Sequence, residues 1–333
     1  MPHVCHRYTR IGKVVSVSDL VTFGEALLRL SPPGNERLES TSTLEVRIGG
    51  AECNVAIAAE RLGAVSTFTS KLPDTPLGRR VTNELHRYGI DTDVVWTRRG
   101  RQGTYYIEYG GRPRGANVIY DRKNSAVSTA EAEEFDLGLI RDARVFFTTG
   151  ITPALSPTLR ETTAKMLQAA KKSGTTTAFD VNFRRKLWSP EEARNTVTQL
   201  FPGVDILMIA ARDARTVLGY EGDPRQLAHK LASQFDFRTV VVTRGEQGAL
   251  AWHDSVLHDQ DAYETDTVDP VGTGDAFTGA FLARRLSGDD VPRALEYANA
   301  TAALKRTIPG DVALVTKEEV DDVVGGDDEA ITR

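Results

Sequence analysis

Short, continuously apolar runs alternate with longer amphipathic stretches along almost the whole chain, and this alternation restricts the fold more than any other feature. Residues 20–23, 66–70, 145–149, 176–181, 206–209 and 239–243 have the length and composition of strands. Between them, residues 51–62, 77–88, 156–172, 190–201 and 224–235 repeat apolar side chains at helical spacing. Strands without polar alternation need apolar cover on both faces, so the pattern predicts an α/β fold with a central, mostly parallel sheet flanked by helices. Leu62-Gly63 and Leu218-Gly219 have the form of glycine stops at helix ends. No repeat of roughly 20–50 residues is visible, which argues against a solenoid.

Two stretches break the alternation. Thr104-Tyr-Tyr-Ile-Glu108 and Ala116-Asn-Val-Ile-Tyr120 flank a turn containing Gly110, Gly111 and Pro113, which predicts a hairpin. Residues 29–48 are also non-helical and contain Pro32-Pro33-Gly34. Both segments, near 29–48 and 103–122, are expected to form a small β-lid. At roughly 150 residues per domain the length of 333 fits two domains, or one large α/β domain with an insertion. The lid favours the second reading, with one folded unit over 19–323. Residues 1–18 contain no acid and no apolar signal core, and read as a ragged leader or an early start codon. His3, Cys5 and His6 lie close together there, but a loose leader is a poor setting for a metal site. Residues 324–333 read as an acidic tail after the last helix.

Composition excludes some partners. Lys+Arg 41 against Asp+Glu 46 leaves a net charge of −5, so no basic field recruits nucleic acid. No apolar run approaches the ~18 residues of a membrane span. Two cysteines, Cys5 and Cys53, make no disulfide framework and suit a reducing cytoplasm.

The segment richest in chemistry is Val268-Asp-Pro-Val-Gly-Thr-Gly-Asp-Ala-Phe-Thr-Gly-Ala-Phe-Leu282. Gly272, Thr273 and Gly274 lead into an apolar helical pattern, so their amides converge at the positive end of a helix and form an anion hole. No Lys follows the last glycine, which excludes a Walker A loop, and Phe277 stands where a dinucleotide fingerprint needs glycine. Asp275 beside such a hole is either a helix N-cap or a general base for phosphoryl transfer. Upstream, Gly49-Gly50-Ala-Glu-Cys-Asn54 runs a second glycine pair into a helix, with Asn54 placed to bond a hydroxyl.

Together these two segments resemble the signature regions of the ribokinase-like (PfkB) carbohydrate kinases, and the resemblance extends from about residue 20 to 316. It implies a ribokinase-like fold with a β-lid over a sugar site, ATP as co-substrate and Mg²⁺ as cofactor. Residues 120–126, 150–157 and 180–190 are most similar to the 2-keto-3-deoxygluconate kinases of that family. That resemblance places the sugar acid against Gly50, Asn54, Tyr105, Tyr120, Arg122, Ile151, Arg184 and Asp275. A carboxylate substrate independently calls for cations, and arginine offers a planar fork. Bland readings remain beside these: Tyr105 and Tyr120 paired across a hairpin, Arg122 solvated, Arg184 salt-bridged to a helix, and Asp180 and Asn182 ordering a loop. Trp188 reads as core. Thr243, Gly245 and Gly248 resemble a nucleotide-contact turn, and Asn299 resembles a position lining the adenine pocket. The family's Asn-x-x-Glu segment, which helps organise Mg²⁺, corresponds to Ala210 and Asp213, leaving Asp213 to act on the metal through water.

The implied activity is phosphorylation of the terminal hydroxyl of 2-keto-3-deoxygluconate, and of its galactonate epimer, in sugar-acid breakdown of the Entner–Doudoroff kind. Asp275 would be the base. The rivals are a neutral-sugar kinase of the fructokinase or ribokinase type and a sugar-acid-binding regulator whose Ala210 has cost it catalysis. The exposed edge of a lid also suggests a homo-oligomer.

Overall fold

The computed structural model describes residues 18–110 and 113–326. The leader with His3, Cys5 and His6, the Gly111-Arg112 step of the hairpin turn and the tail from Asp327 onward lie outside the described residues. In chain order the described strands are β1 (Leu20–Phe23), β2 (Leu27–Ser31), β3 (Glu45–Gly49), β4 (Ser66–Pro73), β5 (Asp91–Thr97), β6 (Thr104–Glu108), β7 (Asn117–Asp121), β8 (Val145–Thr149), β9 (Thr176–Asp180), β10 (Ile206–Ala210), β11 (Thr239–Thr243), β12 (Ala249–His253) and β13 (Val256–Gln260).

Nine of them form one sheet in the order β13-β12-β11-β10-β9-β8-β1-β4-β5. Every pairing from β5 to β11 is parallel, whereas β12 and β13 join antiparallel. The apolar runs divide between the two faces with the period of two expected of a pleated strand. Val21, Phe146, Phe179, Leu207 and Val240 pack into one core, while Leu20, Phe147, Ala178, Met208 and Val241 pack into the other. Trp188 is buried in the first core. At roughly 25 cal/mol per Å² of apolar surface removed from water, these two layers supply most of the cohesion. Among the described residues no helix is long and apolar enough to cross a membrane.

The apolar pattern does not predict β5, β12 or β13. β5 and β13 are sheet edges with partly exposed, polar-interrupted sequences, so the burial that writes an apolar run is missing.

The two lid segments supply a second sheet in the order β3-β2-β6-β7, antiparallel at its flanks and parallel between β2 and β6. Its register sets Arg29 opposite Tyr105 and Tyr105 opposite Tyr120. Beneath the lid the helix Ala51–Arg61 crosses the helix Thr273–Leu286 at close range. Gly279 makes that approach feasible, since a Cβ there would lie 2.5 Å from the Val55 carbonyl oxygen.

Candidate active site

The close crossing brings together the two glycine-rich helix starts, which are far apart in sequence. Asn54 Nδ2 donates to Asp275 Oδ2 at 2.8 Å, and both side chains are at least nine-tenths buried. Gly272 caps the helix Thr273–Leu286 with φ +81°, a left-handed conformation, and a Cβ there would meet the Asp311 carbonyl oxygen at 1.9 Å. The first amides of this helix have no intrahelical acceptor. A Cβ on Gly274 would meet nothing within 4 Å, so the space over the turn is open. Asp275 therefore sits in the first turn of the helix with its carboxylate held by Asn54, whereas the side chain of a helix N-cap accepts from its own helix.

Burial pushes the Asp275 carboxyl up to about 6, against the lowering effects of the Asn54 hydrogen bond and the Arg184 charge. Burial also raises Asp180 to about 7, with the negative charges of Asp275 and Asp213 adding to it. Asp213 is raised by burial as well, although Arg212 pairs with it at 3.2 Å and opposes the shift. The Arg184 side chain makes no hydrogen bond or ion pair among the described residues, yet its charge acts on all three carboxyls. The helix salt bridge considered for it from sequence does not form. Asp180 also orders its loop, accepting from the Asn182 amide at 3.0 Å.

On the lid side, Tyr105 is buried and its ring lies 5.7 Å from that of Tyr120, so the two pair across the hairpin. Tyr105 donates its hydroxyl to Asp311 Oδ1 at 2.5 Å. Tyr120 is partly exposed, with the Arg122 guanidinium 5.5 Å above its ring. Arg122 is not solvated: Nε donates to Glu25 Oε2 at 2.6 Å and Nη2 pairs with the same oxygen. Glu25 is buried and its other oxygen has no hydrogen-bond partner among the described residues. Gly50 takes φ +132°, and a Cβ there would strike the Glu25 carbonyl oxygen at 2.2 Å. The Gly49-Gly50 pair thus lets protein segments close around the site. Ile151 is buried after β8, its amide bonded to Thr149 Oγ1 at 3.1 Å.

Several residues around the site carry no signal in the sequence. Glu52 is fully enclosed and its Oε1 accepts from the Thr149 hydroxyl and amide and from the Thr152 hydroxyl, tying the Asn54 helix to the end of β8. Glu25, Arg29 and Asp311 come from loops or strands whose sequence neighbours are ordinary. Only their long-range partners reveal them.

Of the residues expected on the nucleotide side, Thr243 ends β11, and Gly245 and Gly248 follow it. Arg244 N donates to the Gly248 carbonyl at 2.8 Å, closing a tight turn from Thr243 into β12. Gly245 and Gly248 both have positive φ, and the space over Gly245 is open. Asn299 lies on the helix Val291–Arg306, which packs against β12 and β13; its Nδ2 donates to the Leu295 carbonyl at 3.2 Å, within its own helix. Ala210 occupies the N-cap position of the helix Ala211–Leu218 and offers no side-chain cap.

Mg²⁺ fits this arrangement in a limited way. Among the described residues no three His, Cys, Asp or Glu side chains converge into a metal cage. Asp180 is nonetheless a buried carboxyl that the negative charges of Asp275 and Asp213 raise further, and a cation relieves such repulsion. That suits a metal held by phosphate oxygens and water with one or two carboxylates, the usual manner of Mg²⁺.

Comparison with known proteins agrees with this geometry. Residues 17–317 match the pfkB family carbohydrate kinases. The chain is 57% identical over 316 residues to a 2-dehydro-3-deoxygalactonokinase of Haloferax volcanii, covering 95% of this chain and 99% of the relative. It is 32% identical to a 2-dehydro-3-deoxygluconokinase of Thermoproteus tenax, covering 92% and 94%. The crystal structure of a 2-dehydro-3-deoxygluconokinase from Thermotoga maritima superposes with a TM-score of 0.87 at 35% identity, covering 92% of this chain and 99% of that one.

Proposed function

From a chain that belongs to the pfkB family of carbohydrate kinases, we propose a kinase that transfers the γ-phosphoryl group of ATP to the terminal hydroxyl of a 2-keto-3-deoxy sugar acid. The gluconate and galactonate epimers are both candidate acceptors, and the relative at 57% identity is named for the galactonate form. The observation that carries the reading is the Asn54–Asp275 contact at the mouth of an open, glycine-built anion hole.

Asp275 takes the proton from the attacking hydroxyl. Its raised value, about 6, leaves it ionised at neutral pH yet closer to the operating pH than an ordinary aspartate. Asn54 holds Oδ2, which aims the carboxylate. Amides from Gly272 to Asp275 hold the charge of the transferred group without reorganising. Arg122 and Arg184 grip the substrate carboxylate, with Gly50, Tyr105, Tyr120 and Ile151 forming the walls. Thr243, Gly245, Gly248 and Asn299 line the nucleotide side. Mg²⁺, when bound, neutralises phosphate oxygens, and Asp213 would assist it through water. The lid excludes water from the reacting atoms. The exposed β7 edge, with Ile119 and Tyr120 half-open to solvent, is the surface through which we expect a homo-oligomer to form.

A coupled phosphorylation assay with ATP and Mg²⁺ tests the reading, offering both keto-acid epimers, fructose and ribose side by side. Selective turnover of the keto-acids is the expected result. Preference for a neutral sugar would overturn the role of the arginines, and binding without transfer would favour the regulator.

A further inference from the structure

The lid and the anion-hole turn share one buried ionic joint, and we propose that its centre, Arg29, is a positioning residue for phosphoryl transfer. Arg29 lies on lid strand β2 and is 3% exposed. Its Nη1 donates to Asp311 Oδ1 at 2.8 Å, and its Nη2 donates to Asp269 Oδ2 and to the Tyr109 hydroxyl at 2.9 Å each. One guanidinium therefore spans the lid, the turn that enters Gly272 and the loop that follows the helix Val291–Arg306.

Both carboxylates shape the anion hole. Asp269 Oδ1 accepts from the Val271 amide at 3.0 Å and Oδ2 from the Gly310 amide at 2.8 Å. The Asp311 main chain lies against Gly272 so closely that no Cβ fits between them. The same Asp311 carboxylate accepts the hydroxyl of Tyr105 from lid strand β6. Lys305, fully buried, balances the charge; its Nζ donates to the Asp269 and Ile308 carbonyls at 3.1 Å each.

Cohesion alone does not account for this joint, since well-packed apolar groups of similar volume are often as stabilising as a buried ion pair. What the guanidinium supplies is a fixed spacing between two carboxylates that otherwise repel each other on either side of Gly272. Without it the two loops separate at the amides that hold the transferred phosphoryl group. A displacement of about 1 Å there costs on the order of a hundredfold in rate. Arg29 touches neither substrate nor nucleotide in this scheme and acts through Asp269 and Asp311. The inference rests on the proposed phosphoryl transfer for its kinetic arm only.

The test compares wild type, Arg29→Met, Arg29→Lys and a core control, Val197→Ala, which truncates a fully buried side chain in the first core, whereas the helix Thr273–Leu286 packs into the second. In Arg29→Met, kcat is expected to fall about 30–100-fold with KM for sugar acid and ATP changing less than about threefold. Arg29→Lys should be intermediate, because one ammonium does not bridge both carboxylates. Amide hydrogen exchange over residues 271–276 should accelerate at least tenfold in Arg29→Met while strands β9 to β11 keep their protection. Val197→Ala should lower the melting temperature and leave kcat unchanged. Unchanged kcat, unchanged exchange at 271–276, or an effect on KM alone would overturn the proposal. If Arg29→Met does not fold, Arg29→Lys carries the same decision. Wild-type failure to use any sugar acid refutes the substrate reading alone, and the exchange experiment still decides on Arg29.

Discussion

Replacing Asp275 with Asn should make the protein more stable and nearly inactive. The carboxyl is buried, and its value is raised from 3.8 to about 6. A group whose folded value exceeds its unfolded value contributes stability that is present in acid and lost as pH rises through the folded value. At neutral pH the ionised Asp275 therefore costs up to about 3 kcal/mol, at ~1.4 kcal/mol for each tenfold change in proton affinity. Asn removes that charge and still accepts the Asn54 amide through its carbonyl oxygen. With part of the gain spent on burying a second amide, the melting temperature should rise by about 2–6 °C. Loss of a general base should lower kcat by about 100–10,000-fold. Differential scanning fluorimetry and a coupled ADP-release assay on the same preparation read both effects. Turnover within threefold of wild type would refute the base assignment, and a fall of several degrees in melting temperature would refute the electrostatic account.

The pH profile should follow the same group: kcat falls about tenfold for each pH step of one below pH about 6, where Asp275 takes up its proton, and Asp275→Asn removes that limb. Arg122→Ala should raise KM for the sugar acid about 10–100-fold through loss of a charged contact. It should also lower the melting temperature by stranding the buried Glu25 carboxylate, and a KM unchanged for the acid would remove Arg122 from the substrate site. Gly272→Ala forces a side chain into a left-handed backbone and against the Asp311 carbonyl, so activity should drop at least ~100-fold while circular dichroism still reports a folded protein. Asp213→Asn should raise the Mg²⁺ concentration for half-maximal rate about tenfold; an unchanged requirement would exclude its part in metal binding.

The interior of the fold was legible because burial on two faces leaves a mark in the sequence. The runs at residues 20–23, 145–149 and 239–243 carry no charge and no side chain more polar than threonine, since each strand serves two cores. Edge strands β5 and β13 leave no such mark. The glycine turns were legible for a related reason: Gly272 and Gly279 stand where no Cβ fits. Long-range polar partners are a different matter. Nothing local distinguishes Glu25 or Asp311 from other loop acids, and Arg29 sits among apolar neighbours as an isolated cation. Their roles exist only once the chain brings residues 29, 269 and 311 to one point. Arg122 shows the converse, since its type suggested a ligand grip while its partner in the protein, Glu25, was hidden.

The strand order has a consequence for when this protein becomes competent during its synthesis. β8 to β13 add to the sheet one after another, each beside its predecessor, so that half can grow as the chain emerges. The site has no such order. Asn54 waits 221 residues for Asp275, and Arg29 waits 282 residues for Asp311. Loops of that length close slowly, and until they do the Asn54 helix lacks its Thr273–Leu286 partner and the lid strand β2 lacks its ionic anchor. A nascent chain stopped shortly before residue 311 would carry every described strand of both sheets and an ionic joint missing one of its two carboxylates. Such a chain is a natural client for chaperones, and it acquires its activity in one late step.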